Sequence, residues 1–143
     1  MKHLFISSLI TLFGMLTACD IIAQQPAKAQ GTTATTRIDV IDFHTDHRCR
    51  TCLTIEGLTK EVLNGTFAPQ MKSGVLTFRL VNVDDKANAK LAEDFGAYGT
   101  ALFLHVHRNG KAEKIDLTEW AFMKADDAAT FKAELTQRIK QLL

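Results

Sequence analysis

The chain has 143 residues, a length that fits one folded domain rather than two. Hydrophobic residues make up 46% and charged residues 23%, which excludes a disordered, collagen-like or disulfide-dense protein. The 17 Lys and Arg residues nearly balance the 16 Asp and Glu residues, so the charge pattern does not indicate a nucleic-acid partner. The three cysteines, Cys19, Cys49 and Cys52, are too few for a disulfide framework or a four-cysteine zinc site.

The N-terminal segment has the pattern of a secretory signal. Lys2 precedes an apolar run of 13 residues, Leu4 to Leu16, which is too short for a membrane-spanning helix. The run ends in Leu16-Thr17-Ala18-Cys19, which resembles the lipobox of bacterial lipoproteins, in which the cysteine is diacylated and becomes the new N-terminus. The resemblance implies a signal peptide at residues 1–18 and a domain held on the lipid bilayer of the cell envelope, facing the periplasm. An ordinary signal peptide, with Cys19 left as a free thiol, is the alternative.

The segment after the predicted signal peptide shows no pattern of regular secondary structure. Residues 20–36 are rich in Ala, Gln and Thr and show neither helical nor strand periodicity. We therefore interpret residues 19–36 as the lipidated cysteine and a flexible tether, and residues 37–143 as the folded domain. A short helix packed on the domain is the alternative for this segment.

From Arg37 onward, strand and helix patterns alternate. The β-branched and aromatic run from Arg37 to Phe43 predicts a strand buried on both faces. The next apolar residues predict a helix that ends near Asn64-Gly65, because their spacing is helical: Cys52, Ile55, Leu58 and Val62. A second strand is predicted from Val75 to Val83. Asp84 or Asp85 can then cap a helix that carries Ala87, Leu91 and Phe95 and is closed by Gly96.

The last third of the chain predicts a hairpin and a final helix. Ala101 to Arg108 and Lys111 to Leu117 are strand-like, and Asn109-Gly110 between them is a strong signal for a two-residue turn. Asp127 can cap a helix with an apolar stripe at Phe131, Leu135, Ile139 and Leu142. The order β-α-β-α-β-β-α predicts an α/β fold with a mixed four-stranded sheet flanked by helices.

Candidate reactive groups are concentrated in residues 42–52, where Cys49 and Cys52 form a Cys-x-x-Cys pair at the junction of the first strand and helix. Cysteines three positions apart on a first helical turn share one face, so a disulfide closes without unfolding the helix. The positive end of the helix dipole stabilises a thiolate there, and the flanking Arg48 and Arg50 are expected to add to that effect. These features predict that Cys49 is the exposed nucleophile and Cys52 the buried resolving thiol.

The arrangement resembles the thioredoxin fold over roughly residues 37–143. Asp42-Phe43 before the cysteines and Phe95-Gly96 before a strand look like the corresponding thioredoxin segments. More narrowly, the cysteine motif is similar to that of a family of small thioredoxin-like subunits of nitrophenyl-compound nitroreductase; the residues concerned are Phe43-His44, Arg48-Cys49, Thr51-Cys52 and Thr59-Lys60-Glu61. The broader resemblance implies a thiol:disulfide oxidoreductase, and the narrower one implies an electron-carrying subunit of a larger reductase system.

Two positions depart from the thioredoxin pattern. Arg-Thr lies between the cysteines where thioredoxin has Gly-Pro. Thioredoxins also carry a cis-proline beside the cysteines, at the position that falls near Thr100-Ala101 here, and this chain has no proline after Pro69. The missing proline implies a peptide-docking surface that differs from that of thioredoxins. It also gives more weight to metal or small-molecule chemistry at the cysteines.

Three further side chains near the cysteines are candidate site residues. The resemblance implies that Asp42, with one residue more in the spacing, is the counterpart of the buried acid that transfers a proton to the resolving cysteine in thioredoxins. An aspartate that only points at the end of the sheet is the alternative. His44 and His47 can act as bases, or they can complete a site for Cu(I) or Zn(II) with Cys49 and Cys52. Solvated loop histidines are the alternative for each.

Other candidates are interpreted as structural. His105 and His107 share one face of the third strand, a pattern sometimes seen at metal sites. That strand is expected to run away from the cysteines, which places the two histidines on the order of 13–20 Å from them, so we interpret them as half-exposed sheet residues. Trp120 and Phe122 are interpreted as packing groups.

The sequence leaves three hypotheses for function. The first is an extracytoplasmic, lipid-anchored thiol:disulfide oxidoreductase. No dinucleotide or flavin motif is present, so an oxidoreductase is expected to have no cofactor and to exchange electrons with a partner protein in the envelope. A metal-binding module is the second hypothesis. The third is a binding domain whose cysteine pair is only a stabilising disulfide, a role in which so short a loop is inefficient.

Overall fold

The structure is a computed structural model and describes residues 36–143. The predictions for the signal peptide, Cys19 and the tether up to residue 35 lie outside the described residues. Within residues 36–143, no helix is both long and apolar enough to cross a bilayer.

Four strands and five α-helices make up the described part of the chain. In chain order they are β1 (Arg37–His44), α1 (Arg50–Gly65), α2 (Ala68–Ser73), β2 (Leu76–Asn82), α3 (Ala89–Phe95), β3 (Ala101–Arg108), β4 (Lys111–Asp116), α4 (Thr118–Lys124) and α5 (Ala128–Leu142). A short 3₁₀ turn, Lys86–Asn88, leads into α3.

The four strands form one mixed sheet in the order β2-β1-β3-β4. β1 is parallel to β2 and antiparallel to β3, and β3 is antiparallel to β4. β1 is therefore central, as its nearly continuous apolar sequence predicts. This strand order, with helices on both faces, is the thioredoxin-like fold, and the predicted fold class is confirmed.

The two faces of the sheet are covered by different helices. Ile38 and Val40 of β1 belong to a core shared with buried residues of α1, α4 and α5, whereas Ile41 and Phe43 pack with Ala92 and Phe95 of α3. Since side chains alternate along a strand, Asp42 lies on the face that packs against α1, and Asp39 lies on the α3 face. The two aspartates of β1 therefore lie on opposite faces of the sheet.

The structure confirms the turn and the helix-capping residues that the sequence predicts. Asn109 and Gly110 both have positive φ, 55° and 73°, as the two-residue turn between β3 and β4 requires. Gly96 closes α3 with φ 63°. Asp127 caps α5 by accepting a hydrogen bond from the Thr130 N–H, at 3.0 Å. Between the two candidate caps for the helical segment after β2, Asp85 is the one that accepts from that turn, at the Ala87 N–H.

Two short helices, α2 and α4, were not predicted. In α4, Trp120 is buried with 9% exposure, whereas Phe122 is 41% exposed. The prediction of a packing role is therefore confirmed for Trp120 and wrong for Phe122. The physical reason is that residues two positions apart on a helix point to different sides of it.

Candidate redox site

The two cysteines lie at the start of α1, directly after the loop that follows β1. Cys49 is the N-cap residue of α1, and its Sγ accepts a hydrogen bond from the Cys52 N–H at 3.1 Å. The two side chains are joined in a disulfide, with their Cα atoms 5.1 Å apart. Cys49 is exposed and Cys52 is 5% exposed, as the sequence predicts. A thiolate on Cys49 would face the unpaired N–H groups of the first helical turn.

The loop between β1 and α1 is attached to the end of β2. The Asp46 N–H donates to Asp84 Oδ2 at 2.7 Å, and Asn82 Nδ2 donates to Asp46 Oδ1 at 2.7 Å. The Val83 N–H donates to the His44 carbonyl oxygen at 2.8 Å. Asp84, a candidate helix cap in the sequence, therefore fixes the loop that carries the cysteines.

The two loop histidines differ in environment. His44 is half-buried, and its Nδ1 lies 2.9 Å from the Thr45 carbonyl oxygen, whereas His47 is exposed. Among residues 36–143, neither histidine forms a group of three close metal-ligating side chains with Cys49 and Cys52. The alternative metal site, predicted from Cys49, Cys52, His44 and His47, is therefore not formed among the described residues.

Asp42 is fully buried on the face of β1 that packs against α1. Neither of its carboxylate oxygens makes a hydrogen bond to another described residue. Burial, and secondly the negative charge of Glu56, raise the pKa of Asp42 to about 7, although the positive charges of Arg48 and Lys60 act in the opposite direction. A group with this pKa can take up or release a proton near neutral pH.

Glu56, one turn beyond Cys52 in α1, is the site residue that the sequence analysis missed. Its carboxylate forms ion pairs with Arg48 and Lys60. Burial alone would raise the pKa of Glu56, but hydrogen bonds from Lys60 and Arg48 outweigh burial and lower it. The four-residue spacing of Glu56 and Lys60 was the available signal, because such helix positions face each other.

The two arginines that flank Cys49 are not equivalent. Arg48 is 19% exposed and points to Glu56, and its Nε and second terminal nitrogen are buried without a hydrogen-bond partner among the described residues. Arg50 is exposed. The positive charge of Arg48 is therefore partly neutralised by Glu56, which leaves Arg50 as the flanking cation without an ion pair among residues 36–143. Stabilisation of the thiolate by either arginine stays a prediction.

Ala101 belongs to the Thr100-Ala101 segment, near which the sequence resemblance places the thioredoxin cis-proline. It is the first residue of β3, it is buried, and it pairs with Phe43 of β1. Because β1 leads into the cysteine loop, the pair of Ala101 and Phe43 marks the end of the sheet that lies nearest the cysteines.

Comparisons with solved structures give distant likenesses, among them the following two. The solution structure of a thioredoxin from Thermus thermophilus is 21% identical, with 72% of this chain and 74% of that chain covered and a TM-score of 0.47. A structure described as that of a malarial protein is 16% identical, with 62% and 94% covered and a TM-score of 0.38. No protein-family profile matches the chain. No curated protein sequence matches it either.

The strand order and the placement of the cysteines define the site. The chain has a thioredoxin-like fold with a Cys-x-x-Cys pair at disulfide distance, located where the central strand leads into the first helix. This arrangement fits a thiol:disulfide oxidoreductase.

Proposed function

We propose that the protein is a lipid-anchored, extracytoplasmic thiol:disulfide oxidoreductase of the bacterial cell envelope, with Cys49 as the nucleophile. The observation that carries this proposal is the asymmetry of the pair. Cys49 is exposed at the cap of α1, whereas Cys52 is buried one turn into the helix. An exposed attacking sulfur beside a buried resolving sulfur is the arrangement that disulfide exchange requires.

The reaction begins with the reduced pair. The Cys49 thiolate attacks one sulfur of a substrate disulfide, the substrate S–S bond breaks, and one substrate thiolate leaves. Cys52 then loses its proton and attacks Cys49 Sγ, which releases the second substrate thiol and forms the Cys49–Cys52 disulfide. The substrate gains two electrons and two protons, and the protein is oxidised by two electrons. A dithiol partner protein restores the reduced pair by the same steps in reverse.

Asp42 is the proposed acceptor of the Cys52 proton. It lies on the face of β1 that packs against α1, and α1 carries Cys52. Its pKa of about 7 supports this role, because a base that is partly ionised at neutral pH can accept a proton and return it. Water between Asp42 and the thiol would carry the proton where the two groups do not touch.

The electron partner is proposed to be a protein of the envelope. The sequence contains no dinucleotide or flavin motif, so electrons reach Cys49 and Cys52 through thiol exchange. The similarity of the cysteine motif to small nitroreductase subunits supports a role as the electron-carrying subunit of a larger reductase system.

A redox titration of the full chain tests whether the disulfide is reactive. The protein is equilibrated with dithiol and disulfide buffers, and its thiols are then trapped and counted. We expect a reversible two-electron midpoint within about −270 to −120 mV, the range of thioredoxin-like oxidoreductases. A midpoint below about −300 mV is typical of structural disulfides and would contradict the proposal.

Trapping of the mixed disulfide identifies the attacking sulfur. A Cys52→Ser variant mixed with oxidised glutathione is expected to accumulate a mixed disulfide on Cys49, because no resolving thiol is left to release it. The matched Cys49→Ser variant is expected to accumulate much less, since Cys52 is buried. Similar amounts in the two variants would argue against the assigned roles.

The anchor is tested separately. The lipobox-like Leu16-Thr17-Ala18-Cys19 supports acylation of Cys19. We expect Cys19→Ala to move the protein from the membrane fraction to the soluble fraction and to prevent lipoprotein-type processing. Unchanged membrane association together with an unchanged mature N-terminus would contradict the lipid anchor and leave the redox proposal intact.

A further inference from the structure

We propose that Asp39, His105 and His107 form a binding site for Zn²⁺ on the α3 face of the sheet, at the end away from the cysteines. The site is independent of the redox chemistry proposed above. It uses neither cysteine, and no described contact links it to Asp42 or Glu56.

Strand pairing brings the three ligands together. Asp39 of β1 lies directly opposite His105 of β3, and His107 lies two residues further along β3 on the same face. One ligand atom from each residue lies within 4.8 Å of the other two. His107 Nε2 is 2.9 Å from Asp39 Oδ2, and the centroids of the two imidazole rings are 4.1 Å apart.

Neighbouring side chains orient two of the ligands. Thr77 Oγ1 donates to Asp39 Oδ1 at 2.8 Å, which leaves Asp39 Oδ2 as the oxygen that faces His107. The ring of Phe95 in α3 lies edge-on to His105, with ring centroids 5.2 Å apart. A hydroxyl that fixes a carboxylate ligand is the kind of outer contact that tunes metal affinity.

Two cations, Arg37 and Lys114, lie near the site, and the side chain of each can be accommodated away from the ligand atoms. Arg37 donates to Asp39 Oδ2 at 3.2 Å, but its side chain is 52% exposed at the start of β1 and can turn into solvent. Lys114 of β4 is paired with His105, yet its Nζ donates to the Asp94 carbonyl oxygen and lies 4.6 Å from the centroid of the Phe95 ring. Neither cation has to remain beside the ligand atoms when a metal ion binds.

The donor set and its exposure fit zinc. Two imidazoles and one carboxylate, with a fourth position left for water, form a common zinc ligand set. Tetrahedral zinc with bonds of about 2.0–2.1 Å places its ligand atoms about 3.3 Å apart, so small side-chain rotations convert the observed spacing into a coordination shell. Asp39 and His107 are half-buried, with 15% and 30% exposure of their side chains, so the ion and its water can enter from solvent.

The site lies far from the cysteine end of the sheet. Asp39 lies four positions before Phe43 in β1, which corresponds to about 13 Å along an extended strand. Zinc bound here would not contact Cys49 or Cys52. The two kinds of metal binding, by thiolates and by histidines, are therefore separable by experiment.

The test uses the full chain in its oxidised form, with any remaining thiols blocked by N-ethylmaleimide. Zn²⁺ is titrated against a chromophoric chelator. We expect Asp39→Asn, His105→Gln and His107→Gln each to weaken zinc binding by about 100-fold, and Thr77→Val to weaken it by about tenfold. The matched control His47→Gln, a histidine in the cysteine loop, is expected to bind zinc as the wild type does.

Imidazole NMR on the wild-type protein decides the outcome without any variant. Stoichiometric zinc is expected to shift the ring signals of His105 and His107 and to leave those of His44 and His47 in place. Shifts confined to His3, His44 or His47, unchanged signals for all five histidines, or equal zinc affinity in wild type and Asp39→Asn would each overturn the proposal.

Discussion

Glu56 in α1 and Asp42 in β1 interact electrostatically across the interface of sheet and helix, and the two carboxyl groups have opposite pKa shifts. Burial, with the Glu56 charge as the second cause, raises the pKa of Asp42 to about 7. Hydrogen bonds from Lys60 and Arg48 lower the pKa of Glu56 despite its burial. At neutral pH, Glu56 therefore carries a fixed negative charge that acts on Asp42, and Asp42 carries a proton that it can exchange.

Asp42 should make the folded state less stable as the pH rises. Its pKa is about 7 in the folded protein and about 3.9 in an unfolded chain, so the folded state binds the proton more tightly. The stabilisation is fully present below pH 4 and is lost as the pH rises to 7. The lost free energy of unfolding is about 4 kcal/mol, at 1.36 kcal/mol for each pKa unit.

Denaturant unfolding of wild type and Asp42→Asn at pH 4, 6 and 8 measures this effect. Groups with a lowered pKa, such as Glu56 and Asp39, change stability in the opposite direction, so the difference between the two proteins is the informative quantity. We expect Asp42→Asn to gain stability relative to wild type as the pH rises. Asp126→Asn, at an exposed position, is the matched control. A constant difference between Asp42→Asn and wild type over this pH range would contradict the raised pKa.

Glu56→Gln should have two effects with a common cause. It leaves the mostly buried guanidinium of Arg48 without its ion pair, which is expected to lower the free energy of unfolding by about 1–3 kcal/mol. It also removes a negative charge beside Asp42, so the pKa of Asp42 is expected to fall below its wild-type value. Carbon-13 NMR of the Asp42 carboxyl group over a pH series reads the second effect directly.

Glu61→Gln is the matched control for Glu56→Gln. Glu61 is on the same helix, and its ion pair with Lys132 joins side chains that are 62% and 43% exposed. Exposed pairs of this kind contribute about 0–1 kcal/mol. Equal effects of the two substitutions, on stability or on the Asp42 carboxyl signal, would contradict the special role assigned to the Glu56 charge.

In the reduced protein, Cys49 should react with iodoacetamide before Cys52. Cys49 is exposed at the cap of α1, and its sulfur accepts a backbone hydrogen bond, whereas Cys52 is buried. Peptide mapping after short labelling at neutral pH measures the order. Equal labelling, or faster labelling of Cys52, would reverse the assigned roles.

Arg50 rather than Arg48 should account for the part of this reactivity that depends on a flanking charge. Arg50 is exposed, and the charge of Arg48 is partly neutralised by Glu56. We expect Arg50→Gln to slow alkylation of Cys49 about twofold, as an exposed charge contributes about 0.5 kcal/mol, and the effect should shrink at high salt. Lys140→Gln, at an exposed position of α5, serves as control. An unchanged rate in Arg50→Gln would refute the charge effect.

Several features of this protein could be predicted because they depend on neighbouring residues alone. The apolar run of β1, the helical spacing that begins at Cys52 and the Asn109-Gly110 turn each act over a few positions of chain. The cysteine pair, too, needs only a strand followed by a helix to be recognised. The short helices α2 and α4 escaped prediction because neither begins with a capping side chain, whereas the equally short α3 is marked by Asp85 before it and Gly96 after it.

Only the tertiary structure decided which charged and metal-ligating groups meet. Arg48 and Asp42 are both close to the cysteines in sequence, but the ion pair of Arg48 with Glu56 and the raised pKa of Asp42 depend on how α1 packs on β1. Asp39 and His107 are 68 positions apart and meet because the register of β1 and β3 places them on one face. Strand register is fixed by burial of the whole sheet, and a shift of one residue would turn these side chains to opposite faces.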